Sequence, residues 1–401
     1  MQTPAKTRMA LATKRNDEER LISSQAGTRD IPELTTLRIV AALCVVVSHL
    51  HGYGAVSAER IHSILDGGRP AVSFFFVLSG FIMNHKYPHL SWRDAAATQK
   101  YAKSRFARLY PTLVLALVIA LPAGIFALIT NDSAQLLKLY ALKDRYSLWL
   151  VLSALAQLAG LTGWIPAAAI NQPWNGPAWS LSCEFFFYAL FPFILPALHR
   201  RPSRILLIVI ALGWLLQGLW IGAIETFIAP NRSGFLVSQF PITHCFEFVL
   251  GICSGMLSNR LTRRQLATLI LLMSSATMLM VAALHVSNSF MPVYYGMSPL
   301  FAAAIVATAM ASGSVWLLPL RNSVLVSLGH ASYALYMIHV PILVSASIFG
   351  IAAVFGWLWL PILMLASCLV HFRYAEPVRR YLLYRHPRPA LNQPHQTISR
   401  G

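Results

Sequence analysis

Long apolar runs dominate the chain, at 37–54, 70–85, 109–130, 147–169, 179–198, 205–228, 239–257, 266–286, 297–318, 328–349 and 353–373, with short polar segments between them. A hydrocarbon core of about 30 Å takes roughly 20 helical residues to cross, and most of these runs are long enough. Helices satisfy every backbone polar group within the segment, so the pattern predicts an all-α polytopic membrane protein. If all eleven runs crossed from a cytoplasmic N-terminus, the basic segment 199–204 and Arg260, Arg263 and Arg264 would lie outside, against the positive-inside rule. If 147–169 instead re-enters or lies along the interface, about ten helices span and both termini are cytoplasmic. Of the 32 lysines and arginines, 25 then fall inside and six outside, with Arg38 at a helix border. The expected organisation is a flexible cytoplasmic tail over 1–36, one membrane domain over 37–380 and a cytoplasmic tail over 381–401.

Composition sharpens this picture. Hydrophobic residues make up 56% and charged residues 11%, whereas charged residues run near a quarter in soluble domains. The net charge of +18 is then a matter of topology, so membrane lipid is an expected partner and nucleic acid is not. The first 36 residues hold no apolar stretch before a small-residue cleavage site, so no signal peptide is expected. The expected location of the multi-pass chain is the cytoplasmic (inner) membrane. Cys44, Cys183, Cys245, Cys253 and Cys368 all lie in apolar runs without metal-ligand spacing. They read as small core residues with no disulfide and no metal site.

Ionisable side chains are costly in hydrocarbon and point to function by default. Arg38 and His49 are eleven residues apart in LRIVAALCVVVSHLHGYG. At about 100° and 1.5 Å per residue they share one helix face to within roughly 20°, with His49 roughly 16 Å deeper. The plainer alternative makes Arg38 an interfacial anchor and His49 a hydrogen-bonded core residue. Arg105 and Arg108, three apart at a helix start, would grip phosphates bidentately or simply anchor the cytoplasmic side. Glu184 and Tyr188 share a face at i and i+4, near Trp174 and Trp179, which suit either an interfacial belt or stacking on sugars. His244 and Glu247, at i and i+3, fall with Glu184 in the outer halves of their helices, where they would line an acceptor cavity or serve as structural hydrogen-bonding groups. Ser332, Tyr336 and His339 form a polar stripe within one run. Gly80, after an aromatic run, suits close helix approach.

In this combination and order the segments resemble the acyltransferase-3 family of integral membrane O-acyltransferases, which modify polysaccharides, lipopolysaccharide, Nod factors and macrolides. The resemblance covers roughly 34–380. Its carriers are the arginine, ten residues, histidine pattern of Arg38 and His49, FFVLSGF at 75–81, Arg105 and Arg108 as R-x-x-R, the segment 179–184 and SLGHASYALYMIH at 327–339. The resemblance implies that His49 is the catalytic histidine, that Arg38 belongs to the same site and that Arg105 and Arg108 handle the donor. It implies acyl-CoA, usually acetyl-CoA, as donor substrate, with no bound cofactor. Cys183 and Phe186 depart from the more usual residues and blur any inference about the acceptor.

The expected activity is transfer of an acyl group, most often acetyl, from cytoplasmic acyl-CoA to a hydroxyl of a cell-surface or exported glycan. A hydroxyl is a poor nucleophile at neutral pH, and a buried neutral imidazole is suited to take its proton. An acyl-histidine intermediate is the alternative route. No G-x-S-x-G, H-E-x-x-H or P-loop is present, which argues against a serine hydrolase, a zinc enzyme or an ATP-driven machine. The rival function is a proton-coupled transporter with His49, Glu184, His244, Glu247 and His339 as its relay.

Overall fold

The computed structural model describes residues 30–56, 68–129, 137–138, 140, 142, 146–284 and 296–384. Among them the fold is helical throughout. The longer helices are α1 (Pro32–Gly52), α2 (Gly68–Lys86), α3 (Ala95–Ile129), α4 (Tyr146–Leu158), α5 (Trp179–His199), α6 (Ser203–Phe227), α7 (Cys245–Ser258), α8 (Arg263–Leu284), α9 (Ser298–Met310), α10 (Ser323–Ile348), α11 (Trp359–Val370) and α12 (Glu376–Tyr384). Six helical segments are long and apolar enough to cross a membrane, or seven when the pair around residue 312, bent by 102°, is taken as one.

Each of the eleven apolar runs contains a helix, and the ends differ for local reasons. Proline at the first helical position starts α1 at Pro32, ahead of the apolar run, because it has no N–H to leave unpaired. The tails expected over 1–36 and 381–401 therefore lose 32–36 to α1 and 381–384 to α12, and their remaining parts fall largely outside the described residues. α3 begins at Ala95, so Arg105 and Arg108 lie within a continuous helix. α11 passes into α12 through a π turn at His371–Ala375.

The run 147–169 is not one continuous helix. α4 covers 13 residues, or roughly 20 Å, and the chain then doubles back along it. Ser153 Oγ donates to the Ile170 carbonyl, Gln157 Nε2 to that of Pro173, and Trp174 Nε1 to that of Leu150.

Packing brings α1, α2, α7 and α10 to the centre. α2 and α7 cross at Gly80 and Gly251, where a Cβ would lie 2.0 Å from the Phe248 and Val77 carbonyl oxygens respectively. Small residues are what permit such a backbone approach. α1 and α10 run side by side in the same direction. Gly329 meets the Thr35 carbonyl, where a Cβ would sit 2.1 Å away, and farther on Ser347 Oγ donates to the Tyr53 carbonyl. This pairing places two polar stripes face to face.

Candidate functional site

Two chambers open along the α1–α10 seam. The larger, about 340 Å³, is lined by His49, Tyr53, Arg69, Trp179, Gln239 and Tyr336 among others. The smaller, about 50 Å³, holds Arg38, Arg108, Glu184, Ser332, Tyr333 and Phe75. Val72 and Tyr336 line both, so these two side chains stand between one chamber and the next. Arg38 and His49 thus line two adjoining chambers, separated by their eleven-residue spacing on α1.

His49 is half-buried on the last turns of α1. Its Nδ1 lies 2.8 Å from the Val45 carbonyl and 3.3 Å from Nε2 of His339, which is fully buried on α10. The two rings meet edge to face at 5.0 Å between centroids. His339 Nδ1 in turn lies 3.2 Å from the Leu335 carbonyl. His51 also reaches the larger chamber, with its Nδ1 3.2 Å from the Val56 carbonyl.

The arginine pair divides. Arg108 lines the smaller chamber beside Arg38, and among the described residues no carboxylate lies within 4 Å of either guanidinium. Two guanidiniums in one confined chamber suit a phosphate-like anion between them, with the Glu184 carboxylate in the same lining. Arg105 faces elsewhere. It donates to Tyr87 Oη at 3.0 Å and lies over the rings of Tyr87 and Tyr188 at 5.3 and 5.9 Å. Tyr188 links Arg105 to the chamber, its hydroxyl donating to Glu184 at 2.7 Å.

Glu184 lies on the arginine side, in the smaller chamber, instead of lining the cavity of His49. Trp179 and Tyr336 do line the larger chamber. His244 and Glu247 line neither chamber. Glu247 accepts from Ser73 at 2.6 Å and pairs with His244 Nδ1 at 2.8 Å, while His244 Nε2 meets the Ser238 carbonyl at 3.2 Å. His244 also packs against Trp179 at 5.5 Å, so the pair supports the chamber wall from behind.

Sequence reasoning passed over two residues. Glu33 is fully buried at the start of α1 and accepts from Ser312, the Gly313 N–H and Arg321, which fixes the end of the helix that carries Arg38. Asn175 is also fully buried, and its Nδ2 donates to the Met337 carbonyl at 2.9 Å. That carbonyl is four residues before Pro341, which has no N–H to offer it. The proline was the readable signal. Tyr336 Oη donates to the Pro177 carbonyl at 3.2 Å, so 175–177 clamps α10 at the level of His339. Trp174 next to this clamp has φ of 63°, a left-handed conformation that a bulky residue adopts only when its surroundings enforce it.

The family model described as Acyltransferase domain matches residues 31–372. The chain is similar to "Acyltransferase MdmB" of Streptomyces mycarofaciens, 29% identical over 339 residues, covering 77% of this chain and 78% of the relative. It is also similar to "Protein 2 in picA locus" of Rhizobium radiobacter, 32% identical over 164 residues, covering 39% and 78%. No solved structure matches.

Proposed function

Since the chain belongs to the acyltransferase-3 family and is thereby a membrane acyltransferase, we propose that it moves an acyl group, most simply acetyl, from cytoplasmic acyl-CoA to a hydroxyl of a cell-surface or exported glycan. The observation that carries this reading is the pair of adjoining chambers that share Val72 and Tyr336 in their walls, one lined by Arg38, Arg108 and Glu184 and the other by His49. Arg38 and Arg108 take the phosphates. The pantetheine arm is comparable to about four extended residues, ~14 Å, close to the roughly 16 Å between the levels of Arg38 and His49 on α1. A thioester led past Tyr336 and Val72 therefore reaches the larger chamber.

There His49 acts as general base. It takes the acceptor's hydroxyl proton as the C–O bond forms, the C–S bond breaks, and the proton leaves on the sulfur of CoA. Trp179 and Tyr336 offer the larger chamber flat apolar faces that suit a sugar ring. The transporter alternative loses support because the bonds of His244 and Glu247 run to Ser73 and Ser238, away from His49.

The same reading places ten spans in the inner membrane with both termini inside. Contacts between the basic segments support it: Arg260 donates to the carbonyls of His199 and Arg201, and Lys86 pairs with Asp30 at 2.7 Å. The fold-back of 170–174 onto α4 supports a re-entrant segment. Cysteine labelling at Tyr140 and Gln172 is expected to report one and the same outer side, and opposite sides would remove the ten-span topology.

The function itself is tested with acetyl-CoA labelled in its acyl group and mass spectrometry of surface glycans from wild-type and deletion strains. Loss of acyl esters in the deletion strain, restored by the wild-type chain, is the expected result. Unchanged glycans would overturn the choice of acceptor.

A further inference from the structure

We propose that His339 is a positioning residue: its Nε2 lone pair accepts from His49 Nδ1–H, orients that ring and steadies the positive charge that develops on it. The proposal rests on the reading of His49 as the base and adds a second histidine to its machinery.

The hydrogens follow from the partners. A carbonyl oxygen only accepts, so His339 Nδ1, 3.2 Å from the Leu335 carbonyl, carries that ring's hydrogen and leaves Nε2 as a lone pair. His49 Nδ1, 2.8 Å from the Val45 carbonyl, carries a hydrogen for the same reason. His339 Nε2 at 3.3 Å is then its second acceptor. One nitrogen remains, His49 Nε2, unprotonated on a residue that lines the larger chamber.

Two contacts hold His339 in place. Tyr336, one turn earlier, bonds to the Pro177 carbonyl, and Asn175 bonds to the Met337 carbonyl. An acceptor behind a catalytic imidazole selects its tautomer and stabilises the imidazolium, the role an aspartate plays in serine hydrolases. A neutral acceptor does this without placing an anion inside a membrane protein. During transfer the hydroxyl proton lodges on His49 Nε2 and leaves with the thiol, so none has to reach His339.

The test needs no acceptor substrate. Nitrogen NMR of histidine-labelled protein in nanodiscs is expected to show both His49 and His339 protonated at Nδ1, with His49→Gln and His339→Gln assigning the signals. Protonation of His339 at Nε2 would overturn the proposal. The second reading is the rate at which diethylpyrocarbonate modifies His49, located by mass spectrometry. In that reaction Nε2 forms a C–N bond, ethyl carbonate leaves and the Nδ1 proton is lost, so an acceptor at Nδ1 speeds it. His339→Leu is expected to slow modification about tenfold, the worth of one hydrogen bond to a developing charge. His339→Gln puts an acceptor where Nε2 stood and is expected to restore most of the rate, which a purely packing role would not do. Equal rates in the wild type and the leucine variant would overturn the assignment. If the leucine variant does not fold, His339→Asn replaces it. Asparagine is too short to reach His49, so equal rates in the Asn and Gln variants would overturn the proposal in its place. Neither reading depends on acyl transfer, so failure here is distinct from failure of His49 as base, which His49→Ala tests through activity alone.

Discussion

His244 and Glu247 spend all their polar atoms on fixed neighbours, whereas His49 and His339 leave one nitrogen over, on a residue that lines a cavity. Both His244 nitrogens have partners, the Glu247 carboxylate and the Ser238 carbonyl, and the second carboxylate oxygen takes Ser73. Nothing is left over for chemistry. In the other pair the two ring hydrogens lie on the Nδ1 atoms, against the Val45 and Leu335 carbonyls, and His339 Nε2 is a second acceptor for His49 Nδ1, so the lone pair of His49 Nε2 is the one left over. Burial alone therefore does not identify a reactive histidine in a membrane bundle. What identifies it is an unspent nitrogen with space in front of it.

The strongest way to break this comparison is to remove the exposed lone pair. His49→Ala is expected to lower acyl transfer by about 10²–10⁴-fold, the usual contribution of a general base, while the protein inserts and melts as before. Transfer is read as release of the CoA thiol from acetyl-CoA in membranes that contain the glycan. Near wild-type turnover in this variant would make the two histidine pairs equivalent.

The closed pair should fail in the opposite sense. Glu247→Ala leaves His244 and Ser73 without their shared acceptor, and breaking a buried pair costs about 3–5 kcal/mol. The expected outcome is a large fall in thermal stability in detergent, with activity per folded molecule largely retained. Lost activity at unchanged stability would place the pair in the chemistry after all.

A smaller effect separates the two arginines of the R-x-x-R pattern. Arg108→Ala removes a charge-assisted phosphate contact worth about 1.5–3 kcal/mol and should weaken acyl-CoA binding in calorimetry. Lysine should restore it only in part, because it lacks the bidentate fork. Arg105→Ala should leave donor affinity closer to wild type and lower stability, since its partners are Tyr87 and Tyr188. Equal loss of affinity in both variants would return Arg105 to the donor site.

Much of this was legible in the sequence, for physical reasons that also set the limits. Hydrocarbon allows few alternatives to a helix, so each apolar run located one, and the eleven-residue spacing put Arg38 and His49 on one face. The spacing within a helix is fixed; the neighbour across the seam is not. His339 appeared in a polar stripe, but only the parallel α1–α10 packing at Gly329 shows that it faces His49, 290 residues away. Arg105 and Arg108 looked equivalent because a helix start says nothing of what flanks each side. The segment 173–177 announced itself by its aromatics, while its buried Asn175 answers to Pro341, and no local pattern joins them.

Glu184 gives the finest test of the comparison, because it is a half-buried carboxylate whose hydrogen bond among the described residues is to Tyr188, unlike Glu247 with its two partners. Glu184→Gln keeps an oxygen to accept from Tyr188 Oη and removes a negative charge from the chamber that holds Arg38 and Arg108. Phosphate binding should then stay the same or tighten by a few-fold, an effect of under about 1 kcal/mol for a charge that water still reaches. Stability should hardly change. The same substitution at Glu247 has no such latitude, since an amide offers one acceptor oxygen where the carboxylate gives one to Ser73 and the other to His244. Calorimetry with acetyl-CoA and thermal unfolding of both variants, run side by side, read the contrast directly. A Glu184→Gln variant that loses donor binding would mean that this carboxylate orders the arginines, and the smaller chamber would then have to be treated as one charge network in place of an anion site with a neighbouring acid.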